Sequence, residues 1–176
     1  MQYMTKDELR NLFQVAYSHN QDLHLAMVTA LWHGLRVSEV VNLRGTDVTS
    51  DGQIIVKRLK GSNKTTQRIR RHTDPLFDET PILARAKEKK TLRLFPVSRQ
   101  HLDRVIKQYG AEAGIHISKL HMHALKHSIA MMVWDATGNL GELQGYLGHK
   151  AASSTLCYLY EADSLKAQDA VAAINI

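Results

Sequence analysis

There is no second cysteine among the 176 residues: Cys157 stands alone. An internal disulfide framework is therefore excluded, and a reducing compartment is the natural setting. No apolar run approaches the ~20 residues needed to cross a bilayer, and Met1 is followed by polar and charged residues rather than by the apolar core of a signal peptide. The expectation is a soluble protein of the cytoplasm. No internal repeat, low-complexity tract or evident linker interrupts the chain. Its length suits one domain over 1–176, large enough for a single core and short for two.

Acid is missing from one region in particular. Between residues 52 and 73 there is no Asp or Glu, whereas Lys57, Arg58, Lys60, Lys64, Arg68, Arg70 and Arg71 crowd into it. The formal net charge is +6 and the sequence pI about 9.5. Such a balance favours a polyanionic partner, and its concentration in one segment predicts positive potential on one face.

The remaining sequence reads as mostly helical. Thr5-Lys6-Asp7-Glu8 has the capping-box form ahead of Leu9, Leu12, Phe13 and Ala16 at helical spacing. A second apolar stretch over 23–31 is interrupted at Gly34, and a short helix restarts at Ser38, which leaves Arg36 in the turn between. Residues 53–59 are rich in β-branched side chains, and Gly61-Ser62-Asn63 offers turn chemistry before 65–70, so a β-hairpin is expected. Asp74-Pro75 predicts a helix over 76–90 with an interruption at Pro81. Ser98 caps a helix carrying Leu102, Val105, Ile106 and Tyr109, which Gly114 can end. A buried-face helix over 122–137 stops at Gly138, a shorter one over 139–146 ends by Gly148, and helix is expected from Ser153 onward. The fold class is mainly α with a small antiparallel β-sheet.

Candidate chemistry lies in four places. Gly34-Leu35-Arg36-Val37-Ser38-Glu39 presents an arginine whose guanidinium can make two parallel bonds to phosphate oxygens and stays charged at any working pH, with Glu39 one helical turn away as an orienting group. The hairpin carries Lys60 in Leu59-Lys60-Gly61, with Lys64 as the local alternative, and Lys57, Arg58, Lys64 and Arg68 as candidate contacts to a nucleic-acid backbone. In His123-Ala124-Leu125-Lys126-His127, His123 and Lys126 share a helix face. Finally, Leu147-Gly148-His149-Lys150 is followed nine positions after His149 by Tyr158, with Tyr160 close by.

The ordered set Arg, Lys, His-x-x-Lys, His, Tyr resembles the catalytic signature of the tyrosine recombinases, the phage-integrase family. That resemblance implies the recombinase catalytic-domain fold and a reaction on double-stranded DNA, carried out by a tetramer without metal, ATP or other cofactor. Arg36, Lys126 and His149 would meet the charge of a five-coordinate phosphorus, Lys60 would protonate the leaving deoxyribose oxygen, and Tyr158 would attack to form a 3′-phosphotyrosyl bond. The phenol, with an ordinary pKa of about 10, would be helped by neighbouring cations or by His123 as base. The family pattern at the third motif is His-x-x-Arg, so Lys126 is a departure that replaces a planar fork by a point charge. The N-terminal DNA-clamping domain of most members is not found in this sequence, which is expected either of a catalytic fragment or of a short member like the fimbrial-switch recombinases. The apolar stripe Leu165, Ala167, Ala170, Val171 and Ala173 suits docking on a neighbouring protomer or packing on its own domain.

Two other readings stand beside this one. A non-cleaving DNA-binding protein on the same fold is motivated by Lys126. A metal-dependent hydrolase could be built on His121, His123 and His127, two of them at i and i+4, but that cluster includes no carboxylate.

Overall fold

The computed structural model describes residues 2–59 and 62–158. Seven helices and one hairpin follow in the order α1 Lys6–His19, α2 Gln21–Trp32, α3 Val37–Asn42, β1 Gln53–Val56, β2 Thr65–Arg68, α4 Pro81–Lys89, α5 Arg99–Glu112, α6 Met122–Thr137 and α7 Leu140–Leu147. Residues 153–158 form a further helical segment.

Local chemistry sets most of the boundaries. Thr5 and Glu8 form the reciprocal capping box of α1. Asn20 caps α2 through Oδ1, which accepts from the Asp22 and Leu23 amides. Ser98 accepts from the His101 amide to start α5. Gly138 and Gly148 close α6 and α7 in the left-handed conformation, where a side chain would be strained. One expected helix is corrected: the segment expected over 76–90 becomes helical only at Pro81. Proline lacks an amide hydrogen and suits the first helical position, so Pro81 begins the helix rather than interrupting it.

The hairpin pairs β1 and β2 antiparallel, with Gln53 opposite Arg68 and Val56 opposite Thr65. It is shorter than the β-branched run had suggested.

The core is organised around α2. Nine consecutive residues, Leu23 to Leu31, are buried, so this helix is enclosed on all sides, with α1 and α6 packed against it. α6 has a second apolar side. There Ala130, Met131 and Trp134 join Leu143 and Leu147 of α7 and Tyr158 in a smaller cluster. The turn after α2, the hairpin, the start of α6 and the end of α7 converge at one end of the molecule, where the site lies. Among the described residues, no helix is long and apolar enough to cross a membrane.

Candidate active site

The centre of the site is a backbone carbonyl. Gly34 turns the chain out of α2 with φ +54°, and a Cβ here would lie 3.0 Å from Leu147 Cδ2. The turn exposes its carbonyl oxygen to two cations: Arg58 Nη1 donates to it at 2.9 Å and Lys126 Nζ at 2.7 Å. Arg58 also donates to the carbonyls of His33 at 2.8 Å and Tyr146 at 3.3 Å, and to Thr65 Oγ1 at 3.1 Å. One guanidinium thereby ties the end of α2, the hairpin and α7 together.

Glu39 is the counter-ion. Its carboxylate accepts from the Arg36 amide at 2.8 Å, Arg36 Nη1 at 3.1 Å, Arg58 Nη1 at 3.4 Å and the Leu59 amide at 3.1 Å. Burial pushes this carboxyl upward, but the Arg36 and Leu59 amides and the charges of Arg58 and Lys126 outweigh it and hold Glu39 below the usual range. The expected role of Glu39 in orienting Arg36 thus has a direct geometric basis, and it extends to Arg58.

Two cations are not where the sequence reading had them. Arg58, expected to face DNA, is buried with no side-chain exposure. The reason is strand alternation: Ile54, Val56 and Arg58 are inward and Lys57 is outward. Lys57, Lys64 and Arg68 are exposed as a DNA-facing role requires, although Lys57 also pairs with Asp47 at 2.9 Å. Lys126, expected to meet a phosphate, is 1% exposed and spends its ammonium on the Gly34 carbonyl. Burial first, then the charges of Arg58 and Arg36, push it down to about 7. Lys60 lies outside the described residues, as do Tyr160 and the apolar stripe from Leu165 to Ala173.

Arg36 and His123 line a cleft of about 590 Å³ together with Leu59, Arg99, Asp103 and His121. His123 is exposed at the first turn of α6. The residue is exposed overall, but its ring packs on one side against His127, and this partial loss of water, followed by the charges of Lys126 and Arg36, pushes it down to about 4. His149 follows the left-handed Gly148. A Cβ on that glycine would come within 2.6 Å of the Asn63 carbonyl oxygen, so the close approach of α7 to the hairpin requires glycine. The His149 ring is buried, with Nδ1 3.0 Å from Thr155 Oγ1, and burial together with Lys126, Arg36 and Arg58 pushes it down to about 4. The charges of Lys126 and Arg36 therefore act on both imidazoles, and that of Arg36 acts on Lys126 as well.

Tyr158 sits at the edge of this group. It is 2% exposed, and burial raises its phenol above the ordinary value while the charge of Arg36 opposes the rise. Its hydroxyl lies 3.1 Å from His127 Nδ1. In turn the His127 ring meets His123 edge to face, with centroids 4.4 Å apart. The sequence reading had used His127 only as a potential metal ligand. Its i+4 spacing from His123 was the signal that it belongs on the same face. Among the described residues, no three His, Cys, Asp or Glu side chains are grouped to hold a metal ion, and His121 Nδ1 is occupied as the cap of α6, accepting from the Ala124 amide at 3.1 Å.

The sequence profile of the phage integrase family matches residues 2–164. The chain belongs to that family. It is 28% identical over 164 residues to tyrosine recombinase XerA of Thermococcus kodakarensis, covering 88% of this chain and 56% of XerA. With the type 1 fimbriae regulatory protein FimE of Escherichia coli K12 it shares 26% identity over 173 residues, covering 89% of this chain and 84% of FimE. The chain thus spans just over half the length of one relative and most of the other. Its fold is that of the XerH site-specific recombinase in a post-cleavage complex with palindromic difH, with a TM-score of 0.76, 18% identity and coverage of 98% of this chain and 53% of XerH. The expected recombinase catalytic-domain fold, mainly α with one small antiparallel sheet, is the observed one.

Proposed function

We propose that this phage-integrase-family chain cleaves and rejoins DNA strands at specific sites through a 3′-phosphotyrosyl intermediate, in a homo-tetramer assembled on double-stranded DNA. One observation carries the reading: Arg36 and His123 line one cleft, Lys126 bonds the Gly34 carbonyl two residues before Arg36, and the Tyr158 hydroxyl reaches His127, whose ring packs on His123.

Attack on phosphorus adds negative charge to the non-bridging oxygens, and fixed cations in a site partly closed to water stabilise it most strongly where they need no reorganisation. Arg36 is held by Glu39 through one nitrogen and lines the open cleft, which suits it to grip the phosphate. His123, at the mouth, and His149, beneath it, are imidazoles kept neutral near pH 7, each able to donate one N–H. Lys126 supplies charge from below. The deoxyribose oxygen leaves with a proton, the role that resemblance gives to Lys60, and the retained phosphotyrosyl bond lets a 5′-hydroxyl reverse the reaction without ATP. Lys57, Lys64 and Arg68 would rest on the DNA backbone and set affinity rather than sequence preference.

The test is a nicked duplex carrying a half-site selected by binding from a random pool, which loses its short 5′ fragment after cleavage and traps the covalent adduct. Wild-type protein should form a denaturant-resistant adduct and Tyr158→Phe should form none. Tight binding without any adduct would contradict cleavage and leave a DNA-binding protein.

A further inference from the structure

We infer that His127 is the base that takes the Tyr158 proton during attack, in place of His123. This rests on the cleavage reading above. A buried phenol can become a nucleophile only if its proton passes to an acceptor within hydrogen-bond reach. The group in place is His127 Nδ1, 3.1 Å from the Tyr158 oxygen, which accepts the phenol proton when the ring carries its own hydrogen on Nε2. His123 meets the phenol's partner rather than the phenol: its ring packs edge-on against His127, and its exposed position lines the cleft where the phosphate would bind.

The surroundings of His127 suit the role. It is half-buried on α6, with His123 and Lys126 of its own helix, His121 at the helix cap and Tyr158 from the C-terminal segment around it. Burial and then the neighbouring histidines and Lys126 push it down to about 3, so in the free protein the ring is neutral and Nδ1 can accept. The same crowding makes it a weak base until substrate arrives. A DNA phosphate in the cleft brings negative charge beside the cluster, which raises the proton affinity of a nearby imidazole. The base would then strengthen as the phosphate binds, and the phenol would be activated only on DNA.

The step balances. The Tyr158 oxygen forms the bond to phosphorus and its proton moves to His127 Nδ1. The bond from phosphorus to the 5′ oxygen breaks, and that oxygen receives a separate proton from the general acid. On religation His127 returns the proton to Tyr158.

The experiment compares wild-type protein, His127→Gln and His127→Ala on the nicked duplex, with either a normal 5′ oxygen or a 5′-bridging sulfur at the scissile phosphate. A thiolate leaves without a proton donor, so the sulfur substrate removes the need for the general acid and isolates activation of the nucleophile. Gln keeps a side chain able to bond the phenol but cannot carry its proton away. His127→Gln should form adduct about 10²–10⁴-fold more slowly on both substrates, with a rate that climbs roughly tenfold per pH unit through the neutral range as solvent takes the proton. Equal wild-type and His127→Gln rates would overturn the inference, even if His127→Ala is slow, because His127 would then only position the ring. A faster His127→Gln protein would also overturn it, making the hydrogen bond a restraint. Rescue of His127→Gln by sulfur would overturn it by assigning His127 to the leaving group. Absence of adduct in the wild type would instead overturn the cleavage reading and this inference with it.

Discussion

Arg36 and Arg58 both reach Glu39, yet they belong to different machines. Arg58 is enclosed and gives its donors to Gly34, His33, Tyr146, Thr65 and Glu39. Arg36 uses one guanidinium nitrogen on the same carboxylate and lines an open cleft. One arginine holds the site together and the other is available to a substrate. The comparison teaches that positive charge in the sequence is divided between a buried scaffold and an open cleft, and that a single buried carboxylate reaches both.

Removing each arginine separates those purposes. Arg58→Ala takes the guanidinium donor from the His33 carbonyl, leaves the Gly34 carbonyl to Lys126 and the Tyr146 carbonyl to Gln67 alone, and unbalances Glu39; breaking a buried pair in this way costs about 3–5 kcal/mol. Thermal or urea unfolding should register that loss, with DNA cleavage per folded molecule falling less than in Arg36→Ala. Arg36→Ala leaves Glu39 paired with Arg58, so unfolding should hardly change while adduct formation falls by about 10²–10³-fold. If the two variants behaved alike, the division would be wrong.

Gly148→Ala probes how closely α7 and the hairpin must approach. The added methyl meets the Asn63 carbonyl, and the backbone stays in the left-handed region at φ +70°. A loss of about 1–3 kcal/mol is expected, with His149 displaced, which the chemical shifts of its ring should report.

Lys126 sharpens the comparison from the other direction, since it is buried like Arg58 and its charge acts on the imidazoles of His123 and His149. Its pKa falls from 10.5 to about 7 on folding. The unfolded chain therefore binds the extra proton between those values, and wild-type stability should rise as pH climbs from about 7 toward 10.5. Below pH 7 the folded protein carries the full cost of a buried charge. Lys126→Met should remove that slope, raise the melting temperature most at and below neutral pH, and slow cleavage. A flat wild-type stability profile over this range would show that the ammonium is better solvated than its burial implies.

The smallest effect belongs to the outward face of the hairpin. Lys57→Ala should cost about 1 kcal/mol of stability or less, because the Lys57 side chain is exposed and the buried Asp47 keeps its bond from the Arg44 amide. DNA affinity should fall by a similar small factor for every sequence, with a shallower salt dependence.

These contrasts also mark what the sequence could disclose. Elements fixed by chemistry within a few residues were legible: the Thr5 and Glu8 capping box, Ser98, and the glycines that end α6 and α7. The motifs around Arg36, His123 and His149 were legible too, and the fold brings the elements that carry them to one end of the molecule. Arg58 was misplaced because a basic segment was read by its composition, although alternation from Ile54 through Val56 already pointed that side chain inward. The burial of Lys126 could not be read, since its partner is a backbone carbonyl 92 positions away presented by a turn at Gly34. His127 was visible as a neighbour of His123 but not as the partner of Tyr158, a contact that forms only when the C-terminal segment returns to α6.

The most direct test of the account is to digest the trapped adduct and locate the nucleotide on the chain by tandem mass spectrometry. The phosphodiester should be attached to the phenolic oxygen of Tyr158. Attachment to Tyr160, or to any serine or histidine of the cluster, would contradict the placement of the nucleophile beside Arg36 and His127.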